Sequence, residues 1–558
     1  MITTPPLDPQ SARQYRDAGF WQDRLITDCL DEAAGRRPQK VAAIDVRRTI
    51  TYAALKEEVD ACARALLALG VISGDVVAFQ LPNWIEWLVV HYAATRIGAV
   101  SNPLVPIYRE RELSRMLDLG QAKVLVVPAV FRGFDHGRLA VFLRDTLPAL
   151  EHVVVVGDPT PGSMAWERCL TEGEHHAVDL APWRPAADAI TQLMFTSGTT
   201  GNPKGVLHTH NTLMAANAPW PAWLDLDEHT VLHMASTFAH QTGFLYGARL
   251  ATQLGATGVY QEHWDVREFI ALVERHGITM TMGATPFLYD TVHAQQETPH
   301  DLATLRRFIC GGAAIPRPLV RQARTTLSQT AVLSAWGQTE DGVVTMCHPH
   351  DPEEKIATTD GRPLPGMAIR VVDQGGKVVS AGREGRLQCA GPSVFVGYLG
   401  PPELTASCFD GPWFDTGDMA ILDEDGYVRI TGRKGDMIIR GGENISVAYV
   451  EDVLHEHPAV VAAAVVGLPD PRLGERACAF VVLKPGASLD LATIRDFMNR
   501  QGLARPYWPE RLEIVSELPR TASGKIQKYH LRQRLQDDQL DATHNQQPDT
   551  ASYQEKFS

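Results

Sequence analysis

The stretch Thr196-Ser197-Gly198-Thr199-Thr200-Gly201-Asn202-Pro203-Lys204-Gly205 follows a short apolar run, residues 193–195, that is predicted to be a strand. Four hydroxyl groups, three glycines and one lysine lie within these ten residues. Glycines let the backbone approach phosphate groups with its N–H groups turned inward, and hydroxyls donate to phosphate oxygens. Lys204 adds a full positive charge. A strand that leads into such a loop indicates a phosphate-binding turn at the carboxyl end of a sheet strand.

This loop differs from the two best-known nucleotide-binding loops. A Walker A loop has four residues between its glycines and then Gly-Lys-Ser or Gly-Lys-Thr. Here two residues separate Gly198 from Gly201, and Gly205 follows Lys204. The stretch also lacks Gly-x-Gly-x-x-Gly, which excludes a dinucleotide fingerprint. A flexible surface turn is the alternative for a loop of this composition.

Short apolar runs alternate with longer amphipathic segments up to about residue 361. Strands alternating with helices favour parallel sheets covered on both faces. Beyond that point, β-like pieces between Gly/Pro turns predict a small β-rich subdomain. Strands are predicted at 76–79, 124–127, 153–156, 193–195 and 278–282, helices at 52–69, 110–119 and 269–275, and the β-like pieces at 370–372, 385–388 and 427–431.

The polar, glycine-rich run at residues 432–436 marks a predicted domain boundary. A new α/β pattern follows it, with strands predicted at 462–466 and 479–483 and a helix at 491–500. The predicted fold class is multidomain α/β. A large N-terminal domain of two α/β subdomains and a β-rich subdomain precedes a small mobile α+β C-terminal domain. The predicted bounds are 1–432, a hinge at 433–436, the C-terminal domain at 437–536 and a disordered polar tail at 537–558.

Charge and composition exclude several classes of protein. The chain has 558 residues, of which 44% are hydrophobic and 21% charged, as in ordinary globular proteins. A formal net charge of -14 argues against a broad nucleic-acid-binding surface. The eight cysteines include no C-x-x-C pair, which favours reduced thiols over a zinc site or a disulfide framework. No signal peptide or membrane-spanning run is visible, and a cytoplasmic location is expected.

The loop at 196–205 resembles the signature of the adenylate-forming superfamily, which includes acyl-CoA synthetases, peptide-synthetase adenylation domains and luciferases. Further motifs follow in the order of that family, and the resemblance extends from about residue 30 to residue 534. It implies ATP and coenzyme A as co-substrates and Mg²⁺ as a cofactor. It also implies that the β- and γ-phosphates of ATP are held by Thr196, Ser197, Gly198, Thr199, Thr200 and Lys204.

The segment Ser334-Ala335-Trp336-Gly337-Gln338-Thr339-Glu340 resembles the second motif of the family. A hydroxyl beside a carboxylate can bind Mg²⁺ and contact a phosphate oxygen, although a Thr-Glu pair alone more often caps a helix. The resemblance implies that Glu340 binds Mg²⁺ and that Thr339 contacts the α-phosphate. It places Trp336 and Gly337 beside the nucleotide.

The segment Trp413-Phe414-Asp415-Thr416-Gly417-Asp418 resembles the third motif. An aspartate after a tight glycine turn can accept hydrogen bonds from both ribose hydroxyls, and the resemblance gives Asp418 this role. An ordinary turn aspartate is the alternative.

The segment Ile430-Thr431-Gly432-Arg433-Lys434-Gly435-Asp436 lies at the predicted boundary and precedes Gly441-Gly442. The resemblance implies that Arg433 contacts ribose or phosphate, with Ile430 beside the nucleotide. Gly441 and Gly442 are implied to line the tunnel for the pantetheine arm of coenzyme A. The hinge residue of the family, commonly Asp or Lys, corresponds to Gly435, which leaves the pivot open. A plain interdomain linker is the alternative.

The segment Pro519-Arg520-Thr521-Ala522-Ser523-Gly524-Lys525-Ile526 resembles the C-terminal lysine loop of the family. The resemblance implies that Lys525 bridges the substrate carboxylate and the α-phosphate. A lone lysine after glycine is otherwise a surface residue.

The segment Thr237-Phe238-Ala239-His240-Gln241-Thr242-Gly243-Phe244 resembles the family segment beside the acyl pocket. The resemblance implies that His240 gates the pocket or orients the carboxylate. A core histidine hydrogen-bonded to backbone is the alternative. Gly311-Gly312-Ala313-Ala314 resembles the surface on which adenine and the acyl group pack, which gives Gly312, Ala313 and Ala314 a binding role. His208, His210 and the run Cys347-His348-Pro349-His350 lack zinc-ligand spacing and are predicted to be polar loop residues.

The predicted activity is ATP-dependent activation of a medium-chain or alicyclic carboxylic acid, followed by thioester formation with coenzyme A. The acyl segments, 238–244, 283–288 and 311–314, are mostly apolar, small or aromatic, which disfavours amino acids and dicarboxylates. Residues 102–113 resemble cyclohexanecarboxylate-type ligases. The alternatives are a stand-alone adenylation enzyme that loads a carrier-protein phosphopantetheine and a nucleotide-binding regulatory protein without catalysis. A homodimer is left open.

Overall fold

The computed structural model describes residues 9–196, 203–312, 315–433, 438–440, 443–445, 447–470, 474–501, 503, 505–521 and 524–535. The chain divides into two compact units, Met1–Ile430 and Thr431–Ser558. Each unit has its own sheets and its own apolar core. Within the described residues, no helix is both long and apolar enough to cross a lipid bilayer.

Parallel pairing dominates an eight-stranded sheet in the described part of the first unit. The strands predicted at 76–79, 124–127, 153–156 and 193–195 all lie in this sheet and are confirmed. The strand at one edge and its neighbour pair antiparallel. In spatial order the strands are Gly397–Tyr398, Lys204–Thr209, Ile190–Thr196, Val100–Pro103, Val76–Phe79, Ala122–Pro128, His152–Val156 and Met164–Ala165.

A nine-stranded sheet is also formed by described residues of this unit. Its central strands are parallel and the strands toward both edges are antiparallel. The strand predicted at 278–282 is confirmed, although pairing begins at Met280. In spatial order the strands are Arg362–Pro363, Gly342–Met346, Ala331–Gln338, Arg307–Cys310, Met280–Gly283, Val231–Met234, Thr257–Tyr260, Val41–Ile44 and Thr49–Thr51.

The helix Ile85–Arg96 lies at the centre of the first unit. Every residue from Ile85 to Thr95 is buried, so this helix has no solvent-exposed face. It belongs to one apolar core that includes Phe79 from the eight-stranded sheet and Met234 from the nine-stranded sheet. The outer face of each sheet is covered by other helices in separate apolar clusters, as the α/β prediction requires.

Local sequence explains several helix ends. The side chains of Thr51, Asp135 and Asp265 accept hydrogen bonds from the third backbone N–H of the following helix. The helices of the first unit are Pro9–Asp17, Ile26–Arg36, Tyr52–Ala68, Ile85–Arg96, Glu110–Gly120, His136–Thr146, Trp166–His175, His210–Asn217, Trp220–Leu224, Gln241–Gly243, Leu250–Leu254, Val266–His276, Thr285–Glu297, Arg317–Thr326, Glu353–Thr358 and Pro402–Ala406, with a π-helix at Phe244–Arg249 and a 3-10 turn at Ala181–Trp183.

The β-rich subdomain predicted beyond residue 361 is a separate antiparallel sheet. The β-like pieces predicted at 370–372 and 385–388 lie within two of its strands, and the piece predicted at 427–431 overlaps a third, Val428–Arg433. Its strands are Ala368–Val372, Glu384–Ala390, Trp413–Leu422, Phe409–Asp410 and Val428–Arg433, and a two-stranded ribbon elsewhere joins Val130–Phe131 to Phe134–Asp135.

The described residues of the second unit include a five-stranded sheet with helices on one face. Helices Val447–His455 and Leu491–Arg500 pack there in one apolar cluster. On the opposite face the sheet packs against a second cluster that contains Leu518 and Leu531. The strands are Glu443–Ile445, Ile438–Arg440, Gly474–Leu483, Val460–Asp470 and Arg511–Ile514, and Arg505–Tyr507 is a 3-10 turn. Of the predicted hinge and tail, residues 434–436 and 537–558 lie outside the described residues.

Candidate active site

The ends of the predicted phosphate loop meet at the edge of the eight-stranded sheet. Thr196 ends one strand, Lys204 begins the next, and the two residues are opposite each other in an antiparallel pair. Both side chains are half-buried. The loop is therefore the connection between two paired strands, and its residues Ser197, Gly198, Thr199 and Thr200 lie outside the described residues.

Lys204 and Glu340, from the first and second motifs, are brought close to the same side chain. The Nζ atom of Lys204 lies 5.0 Å from the ring centroid of Tyr398. The hydroxyl of Tyr398 donates a hydrogen bond of 2.8 Å to Oε1 of Glu340. Burial and the neighbouring Glu340 carboxylate raise the pKa of the Tyr398 phenol. No local sequence pattern connects Tyr398 with either motif, so this residue is absent from the predicted site.

The second motif ends in a tight turn that carries Thr339 and Glu340, both half-buried. The backbone N–H of Gln338 donates to Oδ1 of Asp341 at 2.6 Å, and this closes the turn. Asp341 is fully buried, and its desolvation is the main reason that its pKa is raised to about 8. A Cβ atom at Gly337 would lie 1.7 Å from the carbonyl oxygen of Gly342, so only glycine fits at the start of the turn.

His208 supports this turn from the neighbouring sheet. Its Nε2 atom donates to the carbonyl oxygen of Thr339 at 2.8 Å, and burial lowers its pKa to about 4. The prediction that His208 and His210 are polar loop residues is wrong. His208 lies in the strand Lys204–Thr209, His210 begins the helix His210–Asn217, and both are buried.

Asp418, from the third motif, meets the second motif directly. Its Oδ2 atom accepts hydrogen bonds from Nε1 of Trp336 at 2.9 Å and from Nε2 of Gln338 at 3.0 Å. Gly417 has a φ of 72°, a left-handed conformation that turns the chain just before Asp418. Trp336, Gly337, Thr339, Glu340 and Asp418 therefore lie together. Gln338 is a further site residue that sequence reasoning missed.

On the acyl side, the structure brings the segments of His240 and Gly312 together. A Cβ atom at Gly312 would lie 3.9 Å from Oγ1 of Thr242. His240 is half-buried, and its Nδ1 atom accepts a long hydrogen bond of 3.4 Å from the backbone N–H of Thr242. At Gly311, a Cβ atom would lie 2.8 Å from the carbonyl oxygen of Ala335, which explains the glycine. Ala313 and Ala314 lie outside the described residues.

Several residues of the predicted acyl segments belong to the core instead. Phe238, Phe244 and Leu288 have no exposed surface, so they do not line any space that water can enter. Phe238 packs edge-on against Trp87, with ring centroids 5.0 Å apart. These three residues of the predicted acyl segments therefore belong to the core, because apolar spacing does not distinguish a core-facing side chain from a ligand-facing one. Thr242 is among the half-buried residues of these segments.

Two predicted site residues flank the end of the first unit. The backbone N–H of Ile430 donates to Oδ2 of Asp360 at 2.8 Å, and the same oxygen accepts from Arg317. Arg433 is half-buried at the end of the strand Val428–Arg433. Gly441 and Gly442 lie outside the described residues, as does Gly435.

Within the second unit, Lys525 is exposed on a tight turn. Its backbone N–H donates to Oγ1 of Thr521 at 3.1 Å, and its carbonyl oxygen accepts from the backbone N–H of Thr521 at 2.8 Å. The guanidinium of Arg520 donates to the carbonyl oxygen of Gly524 at 2.8 Å. The turn therefore fixes the backbone from which the Lys525 side chain extends.

Comparison with known proteins agrees with this arrangement of motifs. Residues 30–399 match the family model described as AMP-binding enzyme, and residues 449–525 match that of the AMP-binding enzyme C-terminal domain. The chain belongs to the AMP-binding enzyme family. Two relatives of this AMP-binding enzyme illustrate the range of the family. This AMP-binding enzyme is 38% identical to the medium-chain fatty-acid–CoA ligase of Escherichia coli K12. The alignment covers 540 residues, which are 96% of this chain and 94% of the relative.

The second relative is the salicyl-AMP ligase / salicyl-S-ArCP synthetase of Mycobacterium tuberculosis H37Rv. It is 33% identical over 538 residues, 95% of this chain and 94% of the relative. Among solved structures, the AMP-binding enzyme is similar to the anthranilate CoA ligase AuaEII in complex with anthranoyl-AMP. The TM-score is 0.85 at 26% identity, covering 93% of this chain and 98% of that chain. The predicted fold class, the adenylate-forming resemblance and the enzyme class, an AMP-forming acid–thiol ligase, are confirmed.

Proposed function

We propose that this AMP-binding enzyme activates a medium-chain or alicyclic carboxylic acid as its acyl-adenylate and then forms the thioester with coenzyme A. The observation that carries the proposal is the convergence of three charged side chains from three different sheets. Lys204 and Glu340 flank Tyr398, and Asp418 is bonded to the same motif that ends in Glu340. Similarity to a medium-chain fatty-acid–CoA ligase supports the class of acid.

The first half-reaction joins two anions. A carboxylate oxygen attacks the α-phosphorus of ATP, the bond from that phosphorus to the oxygen bridging it to the β-phosphorus breaks, and pyrophosphate leaves. Positioned cations and N–H donors lower this barrier because they offset the repulsion between the reactants. In the second half-reaction the thiol sulfur attacks the acyl carbonyl, its proton passes to solvent, and AMP leaves.

We assign the first-unit residues by their chemistry and position. Lys204 supplies a cation for the β- and γ-phosphates, together with the loop that it ends. Thr339 contacts the α-phosphate, and Asp418 accepts hydrogen bonds from the ribose. The indole of Trp336 and the amide of Gln338 hold one oxygen of Asp418 in place, which restricts the direction of the carboxylate.

The residues present fit a single Mg²⁺ ion at Glu340. Mg²⁺ in nucleotide sites usually takes one or two protein carboxylates together with substrate phosphates and water. Glu340 is half-buried, and the phenol of Tyr398 holds one of its oxygens without supplying a positive charge. Bound there, Mg²⁺ would neutralise charge on the phosphate oxygens.

We propose that the C-terminal domain, residues 437–536, acts in both half-reactions. Lys525 neutralises charge between carboxylate and α-phosphate in the first, and Arg433 contacts the nucleotide. Rotation about the hinge at 433–436 then presents Gly441 and Gly442 to the thiol. On the acyl side, His240 orients the carboxylate and Gly312, Ala313 and Ala314 leave room for the acyl group. The exposed turn that carries Lys525 supports this assignment.

A substrate screen tests the proposal. The enzyme is given ATP, Mg²⁺ and aliphatic, alicyclic, aromatic, dicarboxylic or amino acids, with and without coenzyme A, and AMP release is measured. We expect medium-chain or alicyclic acids with coenzyme A to give the highest kcat/KM, and dicarboxylic and amino acids to remain near background. An aromatic acid preferred by more than about tenfold, or 1.4 kcal/mol, would overturn the assigned acid class.

A second candidate is loading of a carrier-protein phosphopantetheine. The similarity to a salicyl-AMP ligase / salicyl-S-ArCP synthetase favours it. The two candidates differ in the thiol, so formation of acyl-CoA from free coenzyme A separates them. Acyl-adenylate formation without acyl-CoA would support the carrier protein.

We also propose a cytoplasmic location. All eight cysteines are free and seven of them are buried, as is common where thiols stay reduced. Fractionation followed by immunodetection would test this proposal.

A further inference from the structure

Tyr398 lies in a short segment that joins two parts of the candidate site. In the strand Gly397–Tyr398, Tyr398 pairs with Val206, two residues after Lys204. The backbone N–H of Leu399 donates to the carbonyl oxygen of Gly205 at 2.7 Å. At the other end of the segment, the backbone N–H of Phe395 donates to the carbonyl oxygen of Glu340 at 2.6 Å. The segment therefore connects the phosphate-loop strand with the turn that carries Glu340.

The Tyr398 side chain makes the same connection. Its hydroxyl donates to Oε1 of Glu340 at 2.8 Å, and its ring centroid lies 5.0 Å from Nζ of Lys204, within the range of a cation–π contact. The ring is 6% exposed and packs at 65° against Phe395, with centroids 4.7 Å apart. The backbone N–H of Tyr398 donates to Oγ1 of Thr405 at 2.9 Å. The ring is therefore held from several sides.

We propose that Tyr398 is a positioning residue that holds the Glu340 carboxylate and the Lys204 ammonium in the arrangement needed for Mg²⁺ and the terminal phosphates of ATP. This inference rests on the proposed metal role of Glu340. The hydroxyl and the ring have separable effects. The hydroxyl fixes one oxygen of Glu340, which leaves the carboxylate oriented for the metal. The ring face restricts Lys204, which holds its charge near the β- and γ-phosphates.

Two variants separate these effects. Tyr398→Phe removes the hydroxyl and keeps the ring, whereas Tyr398→Leu removes both. Binding of ATP and of AMP is measured by calorimetry over a series of Mg²⁺ concentrations, and thermal melts verify folding. For Tyr398→Phe we expect the Mg²⁺ concentration at half-maximal ATP binding to rise about tenfold, a typical effect of losing a hydrogen bond to a charged group. ATP affinity at saturating Mg²⁺ should stay within about twofold.

For Tyr398→Leu we expect, in addition, weaker ATP binding at saturating Mg²⁺. AMP binding should be retained, because AMP has no β- or γ-phosphate for Lys204 to contact. Equal losses for ATP and AMP would contradict the role of the ring. A melting temperature close to that of the parent protein would exclude general unfolding as the cause.

The chain offers a matched control in Tyr427. This residue is 8% exposed, Nζ of Lys355 lies 4.9 Å from its ring centroid, and burial together with the Asp351 carboxylate raises the pKa of its phenol. Tyr427→Phe therefore removes a comparable hydroxyl outside the candidate site and should leave the Mg²⁺ requirement unchanged. If Tyr398→Phe behaves like Tyr427→Phe, the inference is wrong.

Glu340→Gln distinguishes failure of this inference from failure of the proposed function. A raised Mg²⁺ requirement in Glu340→Gln with none in Tyr398→Phe would overturn the role of Tyr398 alone. An unchanged requirement in Glu340→Gln would overturn the metal assignment itself. A raised requirement in both variants is the expected result.

Discussion

At the scale of single residues, the carboxylates of the candidate site are oriented by neutral donors. Trp336 and Gln338 donate to Asp418, and Tyr398 donates to Glu340. A neutral donor fixes the direction of a carboxylate without cancelling its charge, whereas an arginine would compete with the ligand for it. The phenol of Tyr398 therefore orients Glu340 without adding a positive charge that would compete with a metal ion.

The proposed role of Lys525 depends on its ammonium group. Lys525→Ala removes the ammonium and retains the two hydrogen bonds to Thr521, because these involve backbone atoms of residue 525. We expect acid-dependent ATP–pyrophosphate exchange to fall by about 10²–10³, as when other transition-state charge donors are removed. Thioester formation from supplied acyl-adenylate should keep its rate. The exposed Lys484, changed to Ala, is the control, and unchanged exchange in Lys525→Ala would refute the assignment.

Sequence motifs identified some site residues and missed others for a physical reason. Lys204, Glu340 and Asp418 belong to strings whose residue types suit phosphate, metal and ribose. Gln338 and Tyr398 act through partners 80 and 58 residues away, which no local spacing reveals. The roles of the motif residues stay predictions.

At the scale of elements, two helices pack with their backbones in direct contact at a glycine. A Cβ atom at Gly173, in the helix Trp166–His175, would lie 1.9 Å from the carbonyl oxygen of Ala61 in the helix Tyr52–Ala68. The absence of a side chain at Gly173 allows these two helices to pack closely.

This close contact predicts opposite effects of alanine at Gly173 and at Gly35 on the free energy of unfolding. Gly173→Ala should lower the free energy of unfolding by about 1–3 kcal/mol or more, because backbone must move to admit the methyl group. Gly35, in the helix Ile26–Arg36, has nothing within 4 Å of its Cβ position. Gly35→Ala should raise stability by about 0.5–1 kcal/mol through helix propensity. Denaturant titration measures both, and equal effects would contradict the packing argument.

Element type was predictable from the apolar pattern, and element length was less so. The helix predicted at 491–500 has the same ends in the structure. The strands predicted at 462–466 and 479–483 extend to Val460–Asp470 and Gly474–Leu483. Their pairing continues to Asp470 opposite Gly474, beyond the apolar residues, because backbone hydrogen bonds do not require apolar side chains.

At the scale of the whole molecule, the first unit buries several histidines in neutral form. Burial lowers the pKa of His136, His208 and His233 to about 4 and that of His210 to about 3, from an ordinary value of 6.5. An unfolded chain binds a proton at each position near pH 6.5, whereas the folded chain does so only near pH 4 or below. Stability contributed by neutral burial is therefore lost as the pH falls from about 6.5 to about 4.

We expect the melting temperature of the ligand-free enzyme to fall across this range. Each histidine whose pKa is lowered from 6.5 to about 4 reduces the free energy of unfolding by on the order of 3 kcal/mol as the pH falls from about 6.5 to about 4. His233→Gln removes one of these titrating side chains, so the melting temperature should depend less on pH. His229→Gln, at a side chain that is 82% exposed, should leave the dependence unchanged. Identical pH profiles for the two variants would show that neutral burial of His233 does not contribute.

The fully enclosed helix Ile85–Arg96 limits how the first unit can be divided. This helix packs against residues of both large sheets. In the chain, the strands Val41–Ile44 and Thr49–Thr51 of the nine-stranded sheet come before all strands of the eight-stranded sheet. No single cut of the polypeptide therefore separates the strands of one large sheet from those of the other. A protease or a truncation that removes one sheet would expose the apolar helix Ile85–Arg96 to water. Fragments of this unit should therefore be degraded or aggregate.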